Sequence, residues 1–284
     1  MRIFPKEKNG VDIGELFMIY KITGKENKTL KMVKSLKKKS NRIKLKMFVA
    51  EGRRICDEAL RYASDRIYCV ILSQSFFDND AEEVRRIETL CEKVCVVSDK
   101  TFEEISDTET PQGIMTVINI RENSFEPDDR TDAIVVLDGV SEPGNMGTVI
   151  RTAEALGFDA LYIMKGSADI YSPKVVRATM GAVFRMKFKA DCEISDITGL
   201  KSKGFSLIAT TPGGDVALEK YSPSGRFAAI IGNEAHGISS EILDISDYKV
   251  KITMEGNAES FNAGVASGIV LHWLKVFGKK TNAL

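Results

Sequence analysis

The sequence predicts a two-domain α/β protein whose C-terminal domain is built on a mainly parallel sheet. Three observations lead there. A chain of 284 residues exceeds the usual single-domain size, so two cores are the default. Short apolar runs alternate with amphipathic stretches along most of the chain, as strands covered by helices do. One polar segment, RENSFEPDDRTD at 121–132, lacks periodicity and carries Pro127, so it reads as a linker.

The elements follow in order. Residues 1–26 form an appendage, of which the first 18 suggest no structure. The next segment, 27–120, contains MFVAEG (strand), RRICDEALRYA (helix), IYCVIL (strand), AEEVRRIETLCEK (helix), VCVVS (strand), KTFEEIS (short helix) and QGIMTVINI (strand). After the linker, 133–284 carries strands near 134–138, 159–164, 205–210, 227–231 and 248–252 with helices between them. This alternation implies a parallel sheet covered on both faces.

Bulk properties exclude several classes. No apolar run approaches the roughly 20 residues needed to span a bilayer, and MRIFPKEKNG lacks the apolar core of a secretory signal, so a cytoplasmic protein without membrane attachment is expected. Five cysteines without CxxC spacing, and only two histidines, favour buried free thiols over a metal site. The net charge of zero conceals an asymmetry: residues 25–46 hold ten Lys or Arg against one Glu, leaving 30 bases against 39 acids elsewhere. Such a run is either a solvated helix face, with Leu30, Val33 and Leu36 inward, or a surface for a polyanion, in which case Lys37, Lys38, Lys39 and Arg42 are its RNA contacts.

Parallel sheets place ligands beyond the C-terminal ends of their strands. The loops there are DGVSEPGNMG, TTPGGD, GNEAHG and TMEGNAESFN, each with glycine for close backbone approach and a few polar anchors. The first opens like a phosphate loop but fails as one. Gly144 is followed by Asn145 and Met146 rather than Lys and a hydroxyl residue, and the glycines do not follow G-x-G-x-x-G. Taken singly, the polar residues have bland readings. Asn145 is a turn residue, Arg151 pairs with Glu154 on one helix face, Glu234 caps a helix, and Ser260 is an N-cap.

Taken together, NMGTVIRTAE (145–154), IIGNEAHGIS (230–239) and ITMEGNAESFNAGVASGIVL (252–271), with RATMGAVFRM (177–186) between the first two, resemble the SpoU or TrmH family of RNA ribose 2′-O-methyltransferases in the SPOUT superfamily. Residues 27–120 loosely resemble the family's substrate-binding domain through MFVAEGRRICDEAL and ETPQGIMTV. The resemblance implies a smaller N-terminal α/β RNA-binding domain and a C-terminal α/β trefoil-knot domain that dimerises, binds S-adenosylmethionine and needs no metal. It implies catalytic roles for Asn145, Arg151 and Glu234. Gly232, Ile252 and Phe261 should line the cofactor pocket, with Thr210, Gly213, Met254, Ser260 and Asn262 as neighbours. Thr253 and Phe261 depart from the family pattern, where proline and leucine are frequent. The implied substrate is structured RNA, 23S ribosomal RNA ahead of tRNA, with a noncatalytic RNA-binding protein on the same fold as the rival.

Overall fold

The computed structural model describes residues 18–24, 26–121, 124–256 and 260–277; residues 1–17 of the appendage lie outside these. The described residues divide into two compact units. One comprises those up to Arg121 together with Tyr171–Arg177; the other comprises those through Ile170 and from Ala178 onward.

The first unit runs β1 (Met18–Lys21), α1 (Lys28–Ser35), α2 (Lys39–Leu45), β2 (Met47–Glu51), α3 (Arg53–Tyr62), β3 (Ile67–Ser73), α4 (Gln74–Asn79), α5 (Ala81–Leu90), β4 (Lys93–Val97), α6 (Asp99–Ile105) and β5 (Ile114–Asn119). Its sheet has the order β1-β4-β3-β5-β2, with β5 antiparallel to both neighbours. Successive side chains of a strand point to opposite faces, so Val70 and Leu72 of β3 pack on one side of the sheet and Cys69 and Ile71 on the other, each pair in its own core.

The basic run forms two helices. Leu30, Val33 and Leu36 are buried as their spacing requires. Arg42 corrects the expected RNA surface: it is only 4% exposed, and its guanidinium donates to the carbonyls of Leu36 (2.6 Å) and Lys37 (2.8 Å). A helix end leaves carbonyls unsatisfied, and here a buried side chain satisfies them. The Lys37 ammonium donates to the Ser106 carbonyl. Lys38 and Lys39 are exposed.

From β6 onward the chain runs β6 (Ala133–Asp138), α7 (Pro143–Ala155), β7 (Ala160–Met164), α8 (Pro173–Ala178), α9 (Ala182–Arg185), β8 (Lys187–Cys192), α10 (Ile194–Ser202), β9 (Ser206–Thr210), β10 (Val216–Ala217), β11 (Phe227–Gly232), α11 (Ser240–Ile245), β12 (Tyr248–Lys251) and α12 (Ala263–His272), all of it in the second unit except α8 up to Arg177, which belongs to the first. The sheet order is β10-β12-β9-β11-β6-β7-β8, and every pairing is parallel. The five expected strands are present, joined by β8 and β10 at the two edges. Central β6 is buried throughout, matching its unbroken apolar run. The C-terminal ends of β6, β9, β11 and β12 together carry the four glycine-containing loops.

The polar stretch before β6 is tied to the second unit by a backbone bridge and by side chains. Ser124 bridges Lys189, Phe125 packs on the core, and Glu126 pairs with Lys189 and Lys203. Arg226 donates to the carbonyls of Asp128 (2.6 Å) and Thr131 (2.8 Å).

Candidate active site

The loop after β6 is held from below and from the side. Asp138 accepts from the Ser239 amide (2.7 Å) and hydroxyl (2.8 Å), fixing the start of α11 to the end of β6. Asn233 donates to the Gly139 carbonyl (2.7 Å) and accepts from the amides of Ala235 (2.8 Å) and His236 (3.0 Å), so it both ties two loops and shapes its own turn. Glu234 completes the hold. Its carboxylate accepts from the Ser141 amide (3.2 Å) and hydroxyl (3.1 Å), the Glu142 amide (3.2 Å) and the Asn145 side-chain amide (3.0 Å). Partial burial pushes the Glu234 pKa up, but the hydrogen bonds from Asn145, Ser141 and Glu142 outweigh it, leaving the carboxyl below its ordinary range.

Asn145 is therefore held in place by Glu234, not left as a free turn residue, and Glu234 clamps a loop instead of capping a helix. Arg151 lies six residues further along α7 and is exposed. Its expected helix partner, Glu154, is taken by Arg185 (2.7 Å). Among the described residues the Arg151 guanidinium has no hydrogen bond or ion pair, so its charge is free to meet an external anion.

The expected cofactor residues occupy the neighbouring strand ends. The Thr210 hydroxyl, at the end of β9, is buried without a hydrogen-bond partner, an uncommon and costly state that a bound polar ligand relieves. Gly213 faces open space. A Cβ on Gly232 would lie 2.4–2.6 Å from the backbone of Gly237 and Ile238, so only glycine permits this turn. Ile252 and Met254 are half-buried, and Ser260 and Phe261 are exposed. Asn262, not Ser260, caps α12, accepting from the amides of Gly264 (2.9 Å) and Val265 (3.3 Å). Thr253 donates to Glu219, using a hydroxyl that proline would lack.

Sequence reasoning left Asp138, Ser141, Asn233 and Ser239 unassigned. Each stands in a quoted loop or beside one, but nothing local distinguishes a tie from an ordinary loop residue. Among the described residues no cluster of His, Cys, Asp and Glu could hold a metal. All five thiols are buried and free, and burial pushes Cys56 and Cys192 up to about 12. No described helix is long and apolar enough to cross a membrane.

Fold and site together define a two-unit α/β protein with a strand-end ligand site and an unpaired arginine facing outward beside it. Residues 132–272 match the SpoU rRNA Methylase family, and residues 27–116 match the MRM3-like substrate binding domain. The chain belongs to the SpoU/TrmH family of RNA methyltransferases. It is 29% identical over 254 residues to the 23S rRNA (guanosine(2553)-2′-O)-methyltransferase RlmP of Bacillus subtilis, covering 89% of this chain and 98% of that protein. It is 29% identical over 205 residues to the 23S rRNA (uridine(2479)-2′-O)-methyltransferase of Streptomyces viridochromogenes, covering 67% and 69%. The crystal structure of an AdoMet-bound rRNA methyltransferase from Sinorhizobium meliloti superposes with a TM-score of 0.78 at 26% identity, covering 90% of this chain and 97% of that one.

Proposed function

We propose that the protein transfers a methyl group from S-adenosylmethionine to a ribose 2′-hydroxyl of 23S ribosomal RNA. The observation that carries this reading is the unpaired Arg151 guanidinium on the same helix as an Asn145 that Glu234 holds in place. The Bacillus subtilis relative, matched over 89% of this chain, is named for 23S rRNA, which supports that substrate over tRNA.

The residues present fit the cofactor. The orphaned Thr210 hydroxyl offers a polar contact, the Gly232 turn exposes backbone, and half-buried Ile252 and Met254 with exposed Phe261 offer apolar surface. When bound, the cofactor supplies an electrophilic methyl on a sulfonium sulfur. The chain's own work is positioning. The Arg151 fork holds a phosphate beside the target ribose through paired, charge-assisted hydrogen bonds. Asn145, buried with its amide nitrogen committed to Glu234, fixes the first turn of the helix that carries Arg151.

Two further features belong to this reading. The expected trefoil knot is one, and Gly214 lies where β10 meets β12: a Cβ there would stand 2.6–2.8 Å from the backbone of Lys249, Val250 and Lys251, too close for any side chain. A homodimer is supported by α12 and the residue before its cap: Phe261, Val265 and Ile269, spaced four apart, are 43%, 52% and 38% exposed.

The test uses methyl-labelled cofactor. A methylated 2′ oxygen cannot attack its neighbouring phosphate, so label should appear in an alkali-resistant dinucleotide. Label in mononucleotides would place the methyl on a base, and no label with a verified natural substrate would mark a noncatalytic protein.

A further inference from the structure

The first unit contains a cleft of about 420 Å³ at the C-terminal ends of β3 and β4. Its floor includes Ser73 and Phe76, and the Arg53 guanidinium lies over the Phe76 ring at 4.6 Å. Three of the charges around it are already spent. Arg53 pairs with Asp80, and Asp99 accepts from the Ser75 amide (3.0 Å) and hydroxyl (2.8 Å). Three polar groups at the lip are not spent: among the described residues the Glu103 carboxylate and the Asn79 amide make no hydrogen bond, and Gln112 uses only its oxygen, accepting from the Arg53 amide (2.8 Å).

This chemistry selects its ligand. Asp80, Asp99 and Glu103 outnumber Arg53, so a phosphate is repelled. A guanidinium lying on an aromatic ring is a stacking platform for a flat heterocycle. A free carboxylate accepts two adjacent N–H donors, which guanine presents on its Watson–Crick edge, and the amides of Asn79 and Gln112 complement a base's remaining polar atoms. A volume of this size holds one nucleoside. We propose that this cleft takes a single unstacked guanine of the RNA substrate, read by Glu103 and Gln112 at the lip and stacked near Arg53. The proposal deepens the RNA methyltransferase reading and rests on it for the identity of the ligand as RNA.

The test is photo-crosslinking of the full chain to a 23S rRNA transcript carrying 6-thioguanosine. Crosslinked peptides are expected from residues 73–80 and 99–113. Glu103→Gln combined with Gln112→Ala leaves the floor of the cleft intact but turns an acceptor pair into a mixed edge. It should remove those crosslinks and weaken RNA binding about tenfold, the lower range for losing a bidentate base contact, with cofactor affinity unchanged. Crosslinks confined to other segments, or unchanged RNA affinity in the double variant, would overturn the assignment. Failure of the enzyme reading would look different: no methyl transfer by the unaltered protein while the guanosine crosslinks persist.

Discussion

Arg151 and Glu234 serve one site in different ways, and substitution separates them. Because the Arg151 guanidinium has no partner within the described protein, Arg151→Ala removes nothing the fold uses. It should lower methyl transfer on the order of 10²-fold or more, as loss of a transition-state positioning donor does, with cofactor affinity unchanged by calorimetry. Arg151→Lys should recover little, since an ammonium lacks the planar fork. Glu234 acts through structure. Its pKa is depressed in the folded protein, so the order it gives residues 139–145 is fully present above the ordinary carboxylate value and is lost as pH falls through the depressed value. Cofactor affinity should therefore hold through neutral pH and decline only below the ordinary carboxylate range. Glu234→Gln keeps one acceptor oxygen and should bind more weakly at neutral pH without that acid step. A wild-type titration with no such step would remove Glu234 from the loop's pH response.

At the scale of elements, the sequence was most legible where one physical requirement acts alone. Buried β6 and β11 read directly as unbroken apolar runs, and the burial of Leu30, Val33 and Leu36 followed from their spacing. Edge strand β8 was hidden because its lysines, the charges that keep an edge from pairing further, disguise the alternation. The loop ties were hidden because Asp138 and Ser239 stand 101 residues apart. Charge alone could not show that Arg42 caps a helix while Lys38 and Lys39 face solvent. That difference is measurable. Lys38→Gln with Lys39→Gln should flatten the slope of log RNA affinity against log salt by about 0.7–0.9 for each phosphate no longer neutralised, about 1.4–1.8 for the pair, whereas Arg42→Gln should lower stability with a smaller change of slope. An unchanged slope in the double variant would mean that these lysines are only solvated. Gly147→Ala places a Cβ 2.2 Å from the Ala178 Cβ, so α7 must move away from the end of α8. That overpacking should cost about 1–3 kcal/mol in urea unfolding and displace Arg151 with its helix, and wild-type stability in this variant would mean that the close approach is not required.

For the molecule as a whole, the stretch before β6 decides where the second unit can be separated. A cut at Thr131 lies beside the first strand and looks natural from the sequence, yet it discards Phe125 from the core, Glu126 from Lys189 and Lys203, and the Asp128 carbonyl from Arg226. The ion pairs are half exposed and contribute little each, but a half-buried aromatic ring is worth about 1 kcal/mol or somewhat more and the Arg226 guanidinium would lose one of its acceptors. A fragment beginning at Ser124 should therefore unfold at higher urea than one beginning at Thr131, by about 1–3 kcal/mol in extrapolated stability. Both retain Asn145, Thr210, Gly232, Glu234 and α12, so both should bind S-adenosylmethionine. Both also lose the partners of Tyr171–Arg177, which packs with the first unit, so each should expose that segment to protease where the full chain protects it. Equal stability of the two fragments would show that residues 124–130 only lie against the second unit without supporting it. A stable Ser124 fragment that fails to bind cofactor would mean that the strand-end site needs the first unit to take its shape.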